Sequence, residues 1–184
     1  MNFWQGEKVR LRGVELTDAE EFFRWNLDSE MSRGLEFVWP PVSAERVRDF
    51  VRQQSLKTLE GDAFTWVIED AKEGRAVGTI ATHHCEPQHG TFMYGVHVAR
   101  EDAGRGYAAE AALIVLRYYF AERRYQKVTV SIHGYNAASV ALHEKLGFRR
   151  EGALRRMIYT NGEYFDQLWY GLTKEEWEAS PLKL

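Results

Sequence analysis

The chain has 184 residues, and its 24 lysines and arginines against 27 aspartates and glutamates give a formal net charge of −3 with histidines neutral. That balance argues against a nucleic-acid-binding protein, which usually carries a basic surface, and the length suits a single domain over residues 1–184. Cys85 is the only cysteine, which excludes an internal disulfide and a multi-cysteine metal site. No apolar run has the length of a signal peptide or a membrane helix, so we expect a soluble, cytoplasmic protein with no metal and no membrane partner.

The first third of the chain predicts one strand and two helices. Residues 7–14 alternate charged and apolar residues, which is typical of a strand. Thr17 and Asp18 can cap a helix that carries Phe22, Phe23 and Trp25. Residues 34–41 read GLEFVWPP, and their two prolines indicate an irregular aromatic link. Ser43 can then cap a second helix with an apolar stripe of Val47, Phe50 and Val51.

The remainder alternates strands with helices. Strands are predicted at residues 63–69, 76–83, 91–99 and 127–133, and after residue 147 at 148–159 and 163–172, the last two joined by the hairpin signal Asn161-Gly162. Helices are predicted from residue 107 onward and at 136–146, and a last helical turn at 173–179. This order predicts a mixed α/β sheet layered against helices.

Two glycines precede the long helix, in Gly104-Arg105-Gly106. Glycines allow a phosphate to approach the backbone, and the N–H groups of a helix N-terminus attract anions. Arg105 can add a charged contact. The alternative is an ordinary strand-to-helix turn. A dinucleotide-binding domain is disfavoured, because Ala109 stands where the third glycine of G-x-G-x-x-G belongs.

A second motif, NAASVALHEKLGF, runs from Asn136 to Phe148. Asn136 can cap this helix, and Asn136, Val140, His143 and Gly147 recur at steps of three and four, so we expect Asn136 and His143 to point the same way. Taken separately, Asn136 is better explained as a simple cap and His143 as an exposed polar residue.

Together these segments resemble the GNAT superfamily of acetyl-CoA-dependent N-acetyltransferases. The family's Gln/Arg-x-x-Gly-x-Gly/Ala loop corresponds to residues 103–108, and its Asn-x-x-(Ala/Ser)-x-x-Leu-Tyr-x-x-x-Gly-Phe motif to residues 136–148. The C-terminal segment resembles the branch of ribosomal-protein N-terminal acetyltransferases and spermidine acetyltransferases. The chain departs from the family at two positions, with Ala103 in place of Gln or Arg and His143 in place of tyrosine.

The resemblance implies the GNAT fold, with a mostly antiparallel sheet of about seven strands, and it implies an acetyl-CoA:amine N-acetyltransferase. The acceptor would be a protein N-terminus, a polyamine or a small amine, which attacks the thioester directly. The residues expected to bind acetyl-CoA are the loop Ala103, Gly104, Arg105, Gly106, Tyr107 and Ala108, the strand backbone of Val96, His97 and Val98, and Asn136.

The same resemblance leaves proton transfer open. As a hypothesis, His143 replaces the family tyrosine as general acid, since a histidine can supply a proton near neutral pH. Candidate bases are Glu36, Glu69, His97 and Asp166. Glu36 is preferred because it lies in the link that borders the acceptor in relatives, although a solvated loop acid is the alternative.

Aromatic residues offer a further candidate site. A cationic amine could bind against an aromatic wall made of Trp39, Phe37 and Tyr164. The alternative is that these residues pack in the core or in a subunit contact, and the second case leaves a homo-oligomer open. A rival function is a non-catalytic acyl-CoA-binding sensor of the same fold, which would bind acetyl-CoA without turnover.

Overall fold

The computed structural model describes residues 2–35 and 37–182, and within them seven strands form one sheet in the order β1-β2-β3-β4-β5-β7-β6. The strands are β1 (Val9–Arg12), β2 (Thr65–Asp70), β3 (Ala76–Glu86), β4 (Thr91–Val98), β5 (Lys127–His133), β6 (Arg149–Thr160) and β7 (Glu163–Thr173). The α-helices are α1 (Ala19–Asn26), α2 (Ser29–Leu35), α3 (Ala44–Ser55), α4 (Tyr107–Arg117), α5 (Ala137–Lys145) and α6 (Lys174–Ala179).

Neighbouring strands are antiparallel except β4 and β5, which run parallel. The β6–β7 hairpin turns at Asn161 and Gly162, with φ of 50° and 79°. Positive φ at both central positions matches the twist of the flanking strands and explains the Asn-Gly pair. The hairpin places β7 beside β5 and leaves β6 as the outermost strand.

Apolar side chains are buried on both faces of the sheet. On one face, residues of α4 pack against β4 and β5, with Phe92 stacked on Tyr119 at a centroid distance of 4.1 Å. On the other face, α1 and α3 form a smaller core around Trp25, Val47 and Val51. Successive residues of a strand point to opposite faces, so β4 contributes Phe92 and Tyr94 to the first core while His97 contacts Trp25 on the second face.

The predicted α/β sheet is confirmed, with three differences. β1 is shorter than predicted, and β3 continues three residues beyond residue 83, with a bulge where His84 has a φ of 47°. Helix α2 was not predicted, and it extends through Gly34 and Leu35 into the expected link. It forms because the Asp28 side chain accepts hydrogen bonds from the backbone N–H groups of its first turn.

Across residues 2–35 and 37–182, no helix is both long enough and apolar enough to cross a membrane.

Candidate active site

A cleft of about 510 Å³ opens where β4 and β5 separate. The two strands pair only over Thr91–Met93 and Lys127–Thr129. Beyond that point each strand continues without the other, since β4 stays paired with β3 and β5 with β7. Residues from the α4 and α5 side and from α2 on the other side both line the cleft. The gap therefore connects the two faces of the sheet.

The edge of β4 that faces this gap carries unpaired backbone groups from Val96 and Val98. Ala99 N–H donates to the Val77 carbonyl oxygen, and His97 is in register with Thr79 on β3. Because successive peptide groups alternate in direction, the N–H and C=O groups of Val96 and Val98 point away from β3 and toward the gap. The backbone of His97 points to β3. Of the three β4 residues predicted to bind acetyl-CoA through their backbone, Val96 and Val98 therefore present theirs to the cleft, and His97 does not.

The loop before α4 forms one end of the cleft, where it contributes Ala103, Gly104, Gly106, Tyr107 and Ala108. The two glycines have φ of 80° and 88°, a conformation that other residues rarely adopt. Gly106 is the N-cap of α4, so the N–H groups of the first turn of this helix are available to a ligand. The loop therefore has the backbone conformation that an anion site needs, and its role in binding an anion stays a prediction.

Ion pairs and hydrogen bonds fix the position of this loop. The buried carboxylate of Asp102 accepts two hydrogen bonds of 2.6 Å from Arg75, and Arg75 lowers the pKa of Asp102. The Tyr107 hydroxyl donates to Asp70, which is the main reason that the pKa of Asp70 falls to about 2. Arg105 directs its guanidinium toward Asp102, at 3.3 Å, and lies on the outer side of the loop rather than in the cleft.

Asn136 lines the opposite wall and joins two helices. Its Oδ1 accepts from Ser139 N–H at 3.1 Å, which caps α5, and its Nδ2 donates to the Gly34 carbonyl oxygen at 3.1 Å, which ties α5 to α2. The residues of α5 that line the cleft with it are Ala138, Ser139, Ala141, Leu142 and Lys145.

His143 is not among the residues that line the cleft. Its side chain is 3% exposed and packs against Tyr94 and Phe148, with Nδ1 2.7 Å from the Ser139 carbonyl oxygen. Burial lowers the pKa of His143. The expectation that Asn136 and His143 point the same way is not met, since Asn136 lines the cleft and His143 is buried against Tyr94 and Phe148.

Among the candidate bases, His97 lines the cleft. Its Nε2 is buried and has no hydrogen-bond partner within the described residues, and desolvation lowers the pKa of His97 to about 4. Glu69 is bound by Arg10 and Arg12 at the far side of β2, and Asp166 accepts from Arg156 N–H in the β6–β7 hairpin. Glu36 lies outside the described residues.

The three aromatic residues proposed for an amine site are not among the residues that line the cleft. Phe37 and Trp39 contact each other at 4.2 Å and are 47% and 59% exposed. Tyr164 packs on Tyr159 of the neighbouring strand at 4.9 Å. Among the described residues, no group of three or more histidine, cysteine, aspartate or glutamate side chains is arranged to hold a metal ion.

Sequence reasoning missed the wall that α2 supplies, which consists of Glu30, Met31, Gly34 and Leu35. The signal was present in Asp28-Ser29-Glu30, an acceptor side chain followed by an acidic first turn, which is a common helix start. The two prolines of residues 34–41 favoured an irregular link instead of a helix, although both lie beyond the end of α2.

The chain has relatives of the same length. The model of the acetyltransferase (GNAT) domain matches residues 8–149. The chain is 38% identical over 180 residues to the prophage-derived N-acetyltransferase YokL of Bacillus subtilis, with 98% of each chain covered. It is 28% identical over 181 residues to the candidate ribosomal N-acetyltransferase YdaF of Bacillus subtilis, with 94% of this chain and 95% of YdaF covered.

The same fold is found in the crystal structure of spermidine N-acetyltransferase from Vibrio cholerae in complex with CoA and spermine. The TM-score is 0.80 at 20% identity, with 94% of this chain and 99% of that chain covered, a likeness that shows the fold. The resemblance drawn from the sequence is thus confirmed. This chain belongs to the GNAT family of acetyltransferases and is an N-acetyltransferase.

Proposed function

We propose that the protein moves the acetyl group of acetyl-CoA to a primary amine by direct attack of the amine on the thioester. The observation that carries the proposal is the cleft between β4 and β5. It has a glycine cradle at one end, an unpaired strand edge along one wall, and an opening to the opposite face of the sheet beside α2. A long substrate can therefore enter from one face while a second substrate enters from the other.

Each part of the cleft suits one part of acetyl-CoA. The N–H groups of residues 103–108 would hold the pyrophosphate, with Arg105 contributing through its backbone. Val96 and Val98 would bind the amides of the pantetheine arm as an added strand would, and Asn136 would face that arm from α5. The side chain of His97 would face the amine, because it lies on the face where Trp25 and α2 lie.

The reaction needs a donor for the developing oxyanion and a route for two protons. A bond forms between the amine nitrogen and the acetyl carbon while the carbon–sulfur bond breaks, and the departing thiolate takes a proton. Backbone N–H groups of the β4 edge would stabilise the oxyanion. His97 is unprotonated at neutral pH and can accept a hydrogen bond from the amine, whose proton then passes to water.

We assign to Ser139, rather than to His143, a hydrogen bond to the departing thiolate, which takes its proton from water. Ser139 lines the cleft, and its Oγ lies 3.4 Å from His143 Nδ1. His143 would then act as a positioning residue behind Ser139. The general-acid hypothesis for His143 predicts that His143→Phe lowers kcat as strongly as Ser139→Ala does. If Ser139 is the donor, Ser139→Ala should cause a large loss of kcat and His143→Phe a small one.

Glu36 remains a predicted base, because it follows Leu35, the last residue of the α2 wall, directly in the sequence. If Glu36 takes the amine proton, Glu36→Gln lowers kcat and flattens the acidic limb of the pH–rate profile while the Kd of acetyl-CoA stays unchanged. An unaltered pH–rate profile would assign the proton to water.

The proposal is tested by thiol release from acetyl-CoA in the presence of separate amines, namely peptides with a free N-terminus, spermidine and small alkyl amines. We expect at least one class to raise the rate well above that of acetyl-CoA alone, and mass spectrometry to find the acetylated amine. Tight binding of acetyl-CoA without turnover on any amine would favour the sensor function.

A further inference from the structure

Two consecutive histidines, His83 and His84, lie at the bulge near the end of β3. His83 is in register with Met93 of β4, and Glu86 is in register with Thr91, so β3 has one residue more than β4 over this interval. His84, inside the bulge, has a φ of 47°. Adjacent residues of a regular strand point to opposite faces of the sheet. A bulge interrupts that alternation, because its extra residue changes the direction of the side chains.

The bulge brings the two imidazole rings together. The Nδ1 atoms of His83 and His84 lie 2.7 Å apart, and the ring centroids lie 5.0 Å apart with the ring planes at 76°. Both residues are exposed, so an ion in solution can reach them. Neither residue lines the cleft, so the pair is separate from the candidate active site.

Stability alone does not account for this arrangement. A hydrogen bond between two exposed side chains contributes little, because water competes for both of them. The left-handed backbone conformation of His84 has a conformational cost, and residues in such conformations are concentrated at functional sites. Neutral imidazole is the commonest metal ligand in proteins and binds through either ring nitrogen. Two imidazoles whose Nδ1 atoms converge therefore indicate a metal site.

The separation of the two nitrogen atoms limits the kind of metal. An ion about 2.0 Å from both Nδ1 atoms would form an angle of about 85° with them. This angle is close to that between neighbouring ligands of a square-planar site, the geometry of copper(II) and nickel(II). A tetrahedral zinc site would need the two nitrogens about 3.3 Å apart. Among the described residues no third histidine, cysteine, aspartate or glutamate joins the pair, so water would complete the coordination.

We propose that His83 and His84 form a binding site for copper(II), which binds nickel(II) more weakly and zinc(II) more weakly still. Copper(II) forms the most stable complexes of the divalent first-row metals, and imidazole suits it. Cys85 is not a ligand, because its Sγ is directed to the Asp62 carbonyl oxygen at 3.1 Å. A neutral histidine pair loses no proton on binding, since the Nδ1 proton of the donating ring moves to its Nε2. The site does not depend on the proposed acetyl transfer.

Titration of the full chain with copper(II), in a buffer that does not bind metals, tests the proposal through visible absorption and electron paramagnetic resonance. We expect one copper(II) ion per chain, with hyperfine splitting from two nitrogen ligands. His83→Ala and His84→Asn should each weaken copper(II) binding at least tenfold, because each removes one of the two protein ligands. Asparagine tolerates the positive φ at position 84. His89→Ala is the matched control, because His89 is exposed in the turn after β3 and should leave the affinity unchanged.

Copper(II) binding of wild-type strength in both variants would overturn the proposal, since the ion would then bind elsewhere. Tighter binding of zinc(II) than of copper(II) would contradict the square-planar geometry, and the absence of saturable binding at micromolar copper(II) would exclude the site. The far-UV circular dichroism and the acetyl-CoA Kd of both variants should match those of the wild type. If one variant misfolds, the other decides.

Discussion

At the residue scale, the glycine cradle rests on backbone conformation. Gly104 has a φ of 80°, lines the cleft, and has open space within 4 Å of the position that a Cβ would occupy. A methyl group there meets no protein atom, so any loss of binding reflects the space that it takes from the ligand and the strain of a positive φ. Gly74 has a φ of 69° and equally open surroundings in the β2–β3 turn, away from the cleft.

We therefore expect Gly104→Ala to weaken acetyl-CoA binding at least tenfold, or about 1.4 kcal/mol, while Gly74→Ala leaves affinity unchanged. Both substitutions carry the same conformational cost, so their free energies of unfolding should fall by similar amounts. Isothermal titration calorimetry with acetyl-CoA measures the difference. Equal affinities for the two variants would remove the loop from the binding site.

Also at the residue scale, the burial of His97 in the cleft makes the stability of the protein depend on pH. Desolvation holds its pKa near 4, although Asp28 and Glu101 oppose this shift. In the unfolded chain its pKa is about 6.5, so between these values the unfolded state binds more protons and acid favours unfolding.

Between pH 7 and pH 5, His97 alone should lower the free energy of unfolding by about 2 kcal/mol. His97→Phe removes the titration, so the variant should lose about 2 kcal/mol less than the wild type over that interval. Urea denaturation at both pH values provides the measurement, and His89→Phe, at an exposed turn, is the control. Parallel losses in wild type and His97→Phe would show that His97 is not desolvated.

At the element scale, α2 forms a wall of the cleft that is separate from the glycine loop. Arg33 joins it to the β6–β7 hairpin, and Asn136 and the Tyr135 hydroxyl hold the carbonyl groups of its last residues. The glycine cradle lies on another element altogether. Disturbing α2 should therefore affect the amine more than acetyl-CoA.

We expect Arg33→Ala to raise the KM for the amine several-fold, with the Kd of acetyl-CoA within twofold of the wild type. Arg33→Lys should recover part of the loss, because a lysine can reach one of the two hairpin acceptors, Thr160 Oγ1 and Asn161 Oδ1. Arg46→Ala, on the exposed surface of α3, is the matched control. A rise in the acetyl-CoA Kd equal to that in the amine KM would mean that α2 supports the whole cleft.

Prediction from the sequence succeeded where the signal was local. The Asn161-Gly162 turn, the stop of α5 at Gly147 and the Gly104–Gly106 loop each follow from residues whose backbone freedom decides the structure. The burial of His143 was not predictable, because it depends on packing against Tyr94 of β4, which is distant in the sequence. Which peptide groups of Val96, His97 and Val98 face the cleft likewise depends on the pairing of β4 with β3.

At the scale of the whole molecule, ligand binding should be visible as stability. A ligand that binds the native state alone, at 100 times its Kd, adds about 2.7 kcal/mol. For a chain of this length that corresponds to a rise of roughly 5–10 °C in Tm. We expect coenzyme A to produce this rise, and NAD and ATP to produce less at equal concentration.

Differential scanning fluorimetry at matched concentrations of the three ligands makes this comparison. An equal rise with NAD would favour the dinucleotide-binding alternative and would contradict the fit of the β4 edge to the pantetheine arm. That residues 1–184 form one domain also stays a prediction, and a single cooperative transition that moves as a whole with coenzyme A would support it.

The separation of β4 from β5 has one more consequence. Within residues 2–35 and 37–182, β4 and β5 pair over three residues of each strand, and the Gly90 carbonyl oxygen before β4 also accepts hydrogen bonds from Gln126 and Lys127 N–H. A ligand whose amides form hydrogen bonds with Val96 and Val98 would supply backbone pairing that β4 lacks on this edge. It would therefore act as an added strand of the sheet that can dissociate. A cell short of acetyl-CoA would then hold a population of this protein that opens more readily along that seam, and its turnover by proteases would report on the supply of its own substrate.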